Sequence, residues 1–162
     1  MTDDFASDPQ LPPTTAMQNI SLKNSQGWFE YIVQVYPHHT DYAGIVWHGT
    51  YIAWFEEARI ECLRSIGVNY ADLVAQGCEL PVIELSIRYH RFIKMGNTVI
   101  VKTRMTEIDG LRFHWDCEIC SLDHQELYVT GRVTLVAVDP NQGKLLRRLP
   151  AGVKETLAKL VV

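Results

Sequence analysis

Residues 38–51 read HHTDYAGIVWHGTY and set one carboxylate, Asp41, among His38, His39 and His48. An apolar run and a Gly49-Thr50 pair follow, where a helix begins. A carboxylate in such a place attacks a carbonyl carbon directly, or takes a proton from a water that attacks it. A helix start adds backbone N–H groups without intrahelical acceptors, strengthened by the helix dipole. The chain at Trp47, His48 and Gly49 enters such a start, so its N–H groups are candidate donors for an oxyanion. On its own, an Asp in a loop more often makes an Asx turn or a cap than a catalyst. The histidines crowd together with no thiol at a zinc-like spacing, so no metal site is expected.

Regular elements must hold this loop in place. Residues 28–36, WFEYIVQVY, alternate, with Phe29, Tyr31, Val33 and Val35 on one face, and predict a strand. Residues 50–66 predict a helix, with Thr50 as N-cap and Gly67 as its stop. Ile52, Phe55, Arg59, Cys62 and Ile66 run along one side; Tyr51, Trp54, Ala58 and Leu63 widen the apolar surface. A surface that wide predicts a helix enclosed by other elements. A short helix over 69–76 stops at Gly77, and strands follow over 80–90, 97–108, 111–121 and 126–138. Asp109-Gly110 is a hairpin signal, and a second turn falls near 123–125. These links are too short for parallel crossovers. The fold class is therefore α+β, one long helix on a mainly antiparallel sheet of about five strands. A short amphipathic helix closes the chain over 151–161.

Composition bounds the rest. The 162 residues suit a single domain, here 26–162, after a Pro-, Ser-, Thr- and Asp-rich arm over 1–25 that reads as flexible. A net charge of −4 disfavours a general nucleic-acid surface. No run approaches the ~20 apolar residues of a membrane span. The N-terminus has no apolar core of a secretory signal, so a cytoplasmic protein is expected. Cys117 and Cys120 form C-x-x-C inside an alternating strand, where positions three apart face opposite ways, so they read as structural thiols.

The stretch VYPHHTDYAGIVWHGTYIAWFEEARIECLR, from Val35 to Arg64, resembles the hydroxybenzoyl-CoA thioesterase and YbgC-like branch of the hotdog superfamily. Asp41, Gly44, Val46, Trp47, His48 and Tyr51 match its loop pattern, and Glu56, Ala58 and Arg59 its helix pattern E-x-A-R. The later strand order is also similar, so the likeness spans about 28–160. Two positions depart from the pattern: His39 stands where many members carry an acid, and Asn97 follows Gly96 in place of Asp.

The resemblance implies a hotdog-fold enzyme that hydrolyses an acyl thioester on coenzyme A or acyl carrier protein. Asp41 would be the catalytic carboxylate, as nucleophile or general base. The His48 backbone N–H would polarise the thioester carbonyl, with Trp47, Gly49 and Tyr51 in the oxyanion and substrate site. The His48 side chain would orient water or Asp41. Gly49 would admit the substrate close to the backbone. Glu56 is either a second acid or a structural partner of Arg59 or Arg88. Arg88, Arg91 and Lys94, with Lys102 and Arg104 beyond them, either meet coenzyme A phosphates or protect a strand edge. No separate cofactor is implied, and a homodimer or homotetramer is. Aliphatic and aromatic acyl groups (hydroxybenzoyl, dihydroxynaphthoyl) both occur among relatives. Residues 66–89 also resemble the plant and cyanobacterial carrier-protein branch. The rival readings are a hotdog dehydratase, against which Asp41 and the context of Glu56 argue, and a non-catalytic acyl-CoA-binding module.

Overall fold

The computed structural model describes residues 24–162, so nearly all of the arm expected over 1–25 lies outside the described residues. Strand β1 (Phe29–Gln34) is followed by a single 3-10 turn (Pro37–His39), then by α1 (Thr50–Ser65) and α2 (Tyr70–Ala75). Strands β2 (Val82–Tyr89), β3 (Thr98–Asp109), β4 (Arg112–Ser121) and β5 (Leu127–Val136) come next. A two-residue pair, β6 (Val138–Asp139) and β7 (Lys144–Leu145), closes around the 140–143 turn. Helix α3 (Ala151–Ala158) follows. The main sheet has the order β1-β3-β4-β5-β2, and every pair in it is antiparallel.

Period-2 alternation sorts the sheet into two unlike faces. Val99, Val101 and Met105 of β3, Phe113, Trp115, Cys117 and Ile119 of β4, and Val129 and Val133 of β5 are buried beneath α1. Helix α1 packs there through Trp54, Phe55, Ala58, Cys62 and Leu63. Gly131 makes the close seating possible, because a Cβ on it would lie 2.6 Å from Phe55 Cε2. The opposite face is a charge ladder. Lys102 pairs with Glu118 at 2.9 Å, and Asp116 accepts from Arg132 at 3.1 Å. Lys102 and Arg104 both lie over the Trp28 ring.

Two details of α1 differ from expectation. Thr50 is not the cap: Gly49 holds that position, and the Thr50 hydroxyl donates to the His39 carbonyl at 3.1 Å. Nor is the helix enclosed on all sides among the described residues: Ile52, Ala53, Glu56 and Glu57 are exposed. Apolar width was the signal for enclosure, yet the sheet covers only one side of a helix laid across it.

Candidate active site

The loop from Tyr36 to Gly49 is tied down at every turn. The His39 ring takes the Tyr36 N–H on Nδ1 at 3.0 Å and packs edge-on against Trp54. Burial, and then the charge of His38, lower the His39 pKa from its ordinary value. The His39 carbonyl accepts from the Trp47 N–H at 3.0 Å and from the Thr50 hydroxyl, so the loop is stitched to the first turn of α1. On its other flank, Val46 N–H donates to Ile93 O at 2.9 Å and Met95 N–H to Gly44 O at 3.0 Å. Gly44, at φ 72°, supplies the left-handed turn between them.

Asp41 sits in the bend of this loop. Its N–H and carbonyl pair with Ile45 O and Gly44 N–H. Its Oδ1 accepts from Ala43 N–H at 2.9 Å and from Ile45 N–H at 3.2 Å. That is an Asx turn, the structural role expected of a loop Asp, and it uses one carboxylate oxygen. Oδ2 accepts no hydrogen bond from the described residues, and the side chain is exposed. The carboxylate thus anchors the turn with one oxygen and offers the other.

At the start of α1 the N–H groups divide. The Trp47 N–H is occupied by His39 O and cannot serve as an oxyanion donor, contrary to the sequence-based expectation for Trp47. The N–H groups of His48 and Gly49 meet no acceptor among the described residues. The space beside Gly49 belongs to the Trp47 indole, which a Cβ there would enter. Gly49 is therefore required by Trp47, and substrate access need not be invoked.

Beside these donors a cleft of about 370 Å³ opens, lined by Ile45, Val46, His48, Tyr51, Tyr89, His90, Arg91 and Phe92. Asp41 does not line it and reaches it through its bonds to Ile45. The Tyr51 phenol is pushed up to about 12, chiefly by burial, with the charges of Tyr89 and Asp41 adding to the effect. The His48 ring lies against the Trp47 ring at 4.8 Å and makes no hydrogen bond to Asp41.

The other candidates scatter. Glu56 is exposed in a separate groove with Arg59, Tyr70 and Glu79, and forms no ion pair with Arg59 or Arg88. Arg88 opposes Thr130 on the charged face of the sheet, away from the cleft. Arg91 lines the cleft and pairs with Glu126 at 3.1 Å, and Lys94 is held next to it by the Ile45 bridge. Among the described residues no three His, Cys, Asp or Glu side chains gather as metal ligands.

The thioesterase-like superfamily matches residues 35–158, which takes in the loop, α1 and the sheet strands β2 to β5. The chain belongs to that superfamily. It is 51% identical over 158 residues to sll0410 of Synechocystis, a protein provisionally named an esterase, covering 94% of this chain and 95% of that one. It is 28% identical to the acyl-CoA thioester hydrolase YbgC of Escherichia coli, over 77% of this chain and 92% of YbgC. The crystal structure of a DHNA-CoA thioesterase from Staphylococcus aureus superposes with a TM-score of 0.75 at 30% identity, over 82% of this chain and 89% of that one. The fold is the hotdog fold, with α1 as the helix laid on the sheet.

Tyr89, His90 and Phe92 were absent from the sequence-based list. A signal for Tyr89 was present: Leu85, Ile87 and Tyr89 share one face of β2, opposite Val133, Gly131 and Val129 of the core. The same parity sends Arg88 outward.

Proposed function

We propose that this thioester hydrolase uses Asp41 as its catalytic carboxylate and the His48 and Gly49 N–H groups as its oxyanion hole. One observation carries the reading. A carboxylate with one unclaimed oxygen is fixed in the loop that also carries two backbone donors without acceptors among the described residues, and one of the two, His48, lines a cleft. Oδ2 either attacks the thioester carbon or removes a proton from the water that attacks it. By direct attack, Oδ2 forms a mixed anhydride as the C–S bond breaks, and water then cleaves the anhydride to release the acid and free Asp41. By the general-base route, the water oxygen enters the acid as the C–S bond breaks. In both, the thiolate leaves and is protonated. The oxyanion of the tetrahedral intermediate draws on the two N–H groups, and losing one such donor typically costs ~10²–10³ in rate.

The cleft walls Tyr51, Tyr89, Phe92, Ile45 and Val46 offer the acyl group an apolar surface. Arg91, which lines the cleft, and Lys94, bridged to Ile45 of its wall, are the basic residues this reading assigns to a coenzyme A phosphate, and Arg88, on the other face of the sheet, is left out. The names of YbgC and of the Staphylococcus protein support coenzyme A as carrier, with an acyl carrier protein as the alternative. No cofactor is needed, since coenzyme A leaves with the product. A homodimer or homotetramer is supported by β2, a sheet edge without a partner on its outer side among the described residues, which leaves Val82 and Ile83 about half exposed. A cytoplasmic setting is supported by Cys78, Cys117 and Cys120, which are buried as free thiols. No helix among the described residues is long and apolar enough to cross a membrane.

The deciding experiment is a thiol-release assay over aliphatic acyl-CoA of several lengths, aromatic acyl-CoA and carrier-protein thioesters, with Asp41→Asn in parallel. Turnover on one class that collapses in the variant supports the reading and names the substrate. Full turnover by Asp41→Asn on every accepted thioester sinks the role of Asp41. Binding of acyl-CoA without any turnover replaces the enzyme with a binding module.

A further inference from the structure

The edge strand brings one more polar group to the helix start. The Tyr89 hydroxyl donates to the His48 carbonyl at 2.8 Å, across 41 positions of sequence. His48 precedes the Gly49 cap, so its carbonyl lies outside the helix's own hydrogen-bond ladder. Ile52 N–H donates to Gly49 O at 3.2 Å, and the phenol supplies the His48 carbonyl with a partner that the helix does not.

The His48 carbonyl and the Gly49 N–H are the two ends of one planar peptide unit, so a bond that fixes the oxygen also fixes the direction of the N–H. A donor at the oxygen draws electron density toward it and makes the N–H at the other end a stronger donor, as along any hydrogen-bonded chain. Tyr89 is itself held in place. Its ring lies 5.4 Å from the Tyr51 ring, and its backbone is in register with Val129 of β5.

We infer that Tyr89 is a positioning residue for thioester hydrolysis: its hydroxyl orients and polarises the His48–Gly49 peptide, so that the Gly49 N–H meets the oxyanion. The inference rests on the reading of that N–H as an oxyanion donor. Gly49 and Tyr89 then act as one unit, built from the loop and from the strand that closes the cleft.

Tyr89→Phe tests it by removing one oxygen from a half-exposed edge position and keeping the ring. The full chain is assayed on a thioester that the wild type hydrolyses, beside Asp41→Asn, and the Gly49 amide is followed by 1H–15N NMR. The expected result is a kcat lower by about three- to tenfold, the worth of one neutral hydrogen bond. KM stays unchanged, and the Gly49 amide proton moves upfield. An unchanged kcat with an unmoved Gly49 amide, while Asp41→Asn is inactive, overturns the role of Tyr89 and leaves the thioesterase reading standing. A raised KM at constant kcat also overturns it, because the ring is then only part of the cleft wall. A wild type that hydrolyses no thioester overturns both.

Discussion

Gly131→Ala tests how closely the sheet dictates the seating of α1. An alanine Cβ would lie 2.6 Å from Phe55 Cε2, 3.1 Å from Phe55 Cζ and 3.2 Å from the Ser86 carbonyl oxygen. Neither neighbour gives way easily. Phe55 is fully buried, and Ser86 belongs to the backbone of β2, paired with β5 through Arg132. Forcing a methyl group into such a site costs about 1–3 kcal/mol. The lower backbone entropy of the unfolded alanine chain returns about 0.5–1 kcal/mol, so a net loss of about 1–2 kcal/mol is expected. For a chain of this size that lowers the thermal midpoint by about 2–8 °C. Urea unfolding at one fixed protein concentration measures it, which keeps any self-association constant. The decisive arm is Phe55→Leu, which removes the ring atoms that the new methyl group would strike. In that background Gly131→Ala should cost at least ~1 kcal/mol less than in the wild type, the coupling expected of residues in contact. An unchanged urea midpoint for Gly131→Ala, or the same cost in both backgrounds, refutes the packing argument.

Asp41 should separate its two roles by substitution. Asp41→Asn keeps an oxygen for the Ala43 and Ile45 N–H groups and should match wild-type stability, whereas Asp41→Ala should lose about 0.5–1.5 kcal/mol in urea unfolding; equal stabilities would mean that the Asx turn contributes nothing. His39 accepts a hydrogen bond on Nδ1, so the fold prefers its neutral ring, and burial followed by the charge of His38 lowers its pKa. The stability it contributes is therefore complete above the unfolded value of about 6.5 and is lost as pH falls through the lower folded value. A 1H–15N titration should place the His39 midpoint below that of an unfolded peptide, and a midpoint at or above it would contradict the geometry.

The elements were largely readable because each carries its own period. Alternation in 28–36 and 111–121, with a helical run over 50–66, needs nothing from distant parts of the chain. What escaped depends on long-range partners. Thr50 looks like a cap because its hydroxyl is expected to act locally, and His39 O, eleven residues back, takes it instead. The Trp47 N–H looks free because it stands at a helix start, and the same carbonyl occupies it. The sequence sets Ile52 and Arg59 on one apolar side of α1, and Arg59 is buried there, but Ile52 is exposed because the sheet covers only part of that side. The basic residues at 88, 91 and 94 read as one patch in sequence; strand parity and the bridge at Lys94 divide them between two faces.

The His39 carbonyl shows why a loop can hold this site. A catalytic group must be fixed to within a fraction of an ångström, and sites on loops are usually less well fixed than sites on helices or strands. Here one carbonyl, two residues before Asp41, accepts from both Trp47 and Thr50, and so fixes the loop to the helix that supplies the donors. On the far side, Ile93 O and Met95 N–H fix the same loop to the segment after β2. Asp41 and the N–H groups of His48 and Gly49, the acid and donors of the proposed mechanism, are therefore not free to drift apart, although no regular element contains them both. His39 replaces the acid that many family members carry at this position, and its ring is committed to Tyr36 and Trp54. The position serves to brace the loop, which leaves Asp41 as the one carboxylate the loop presents.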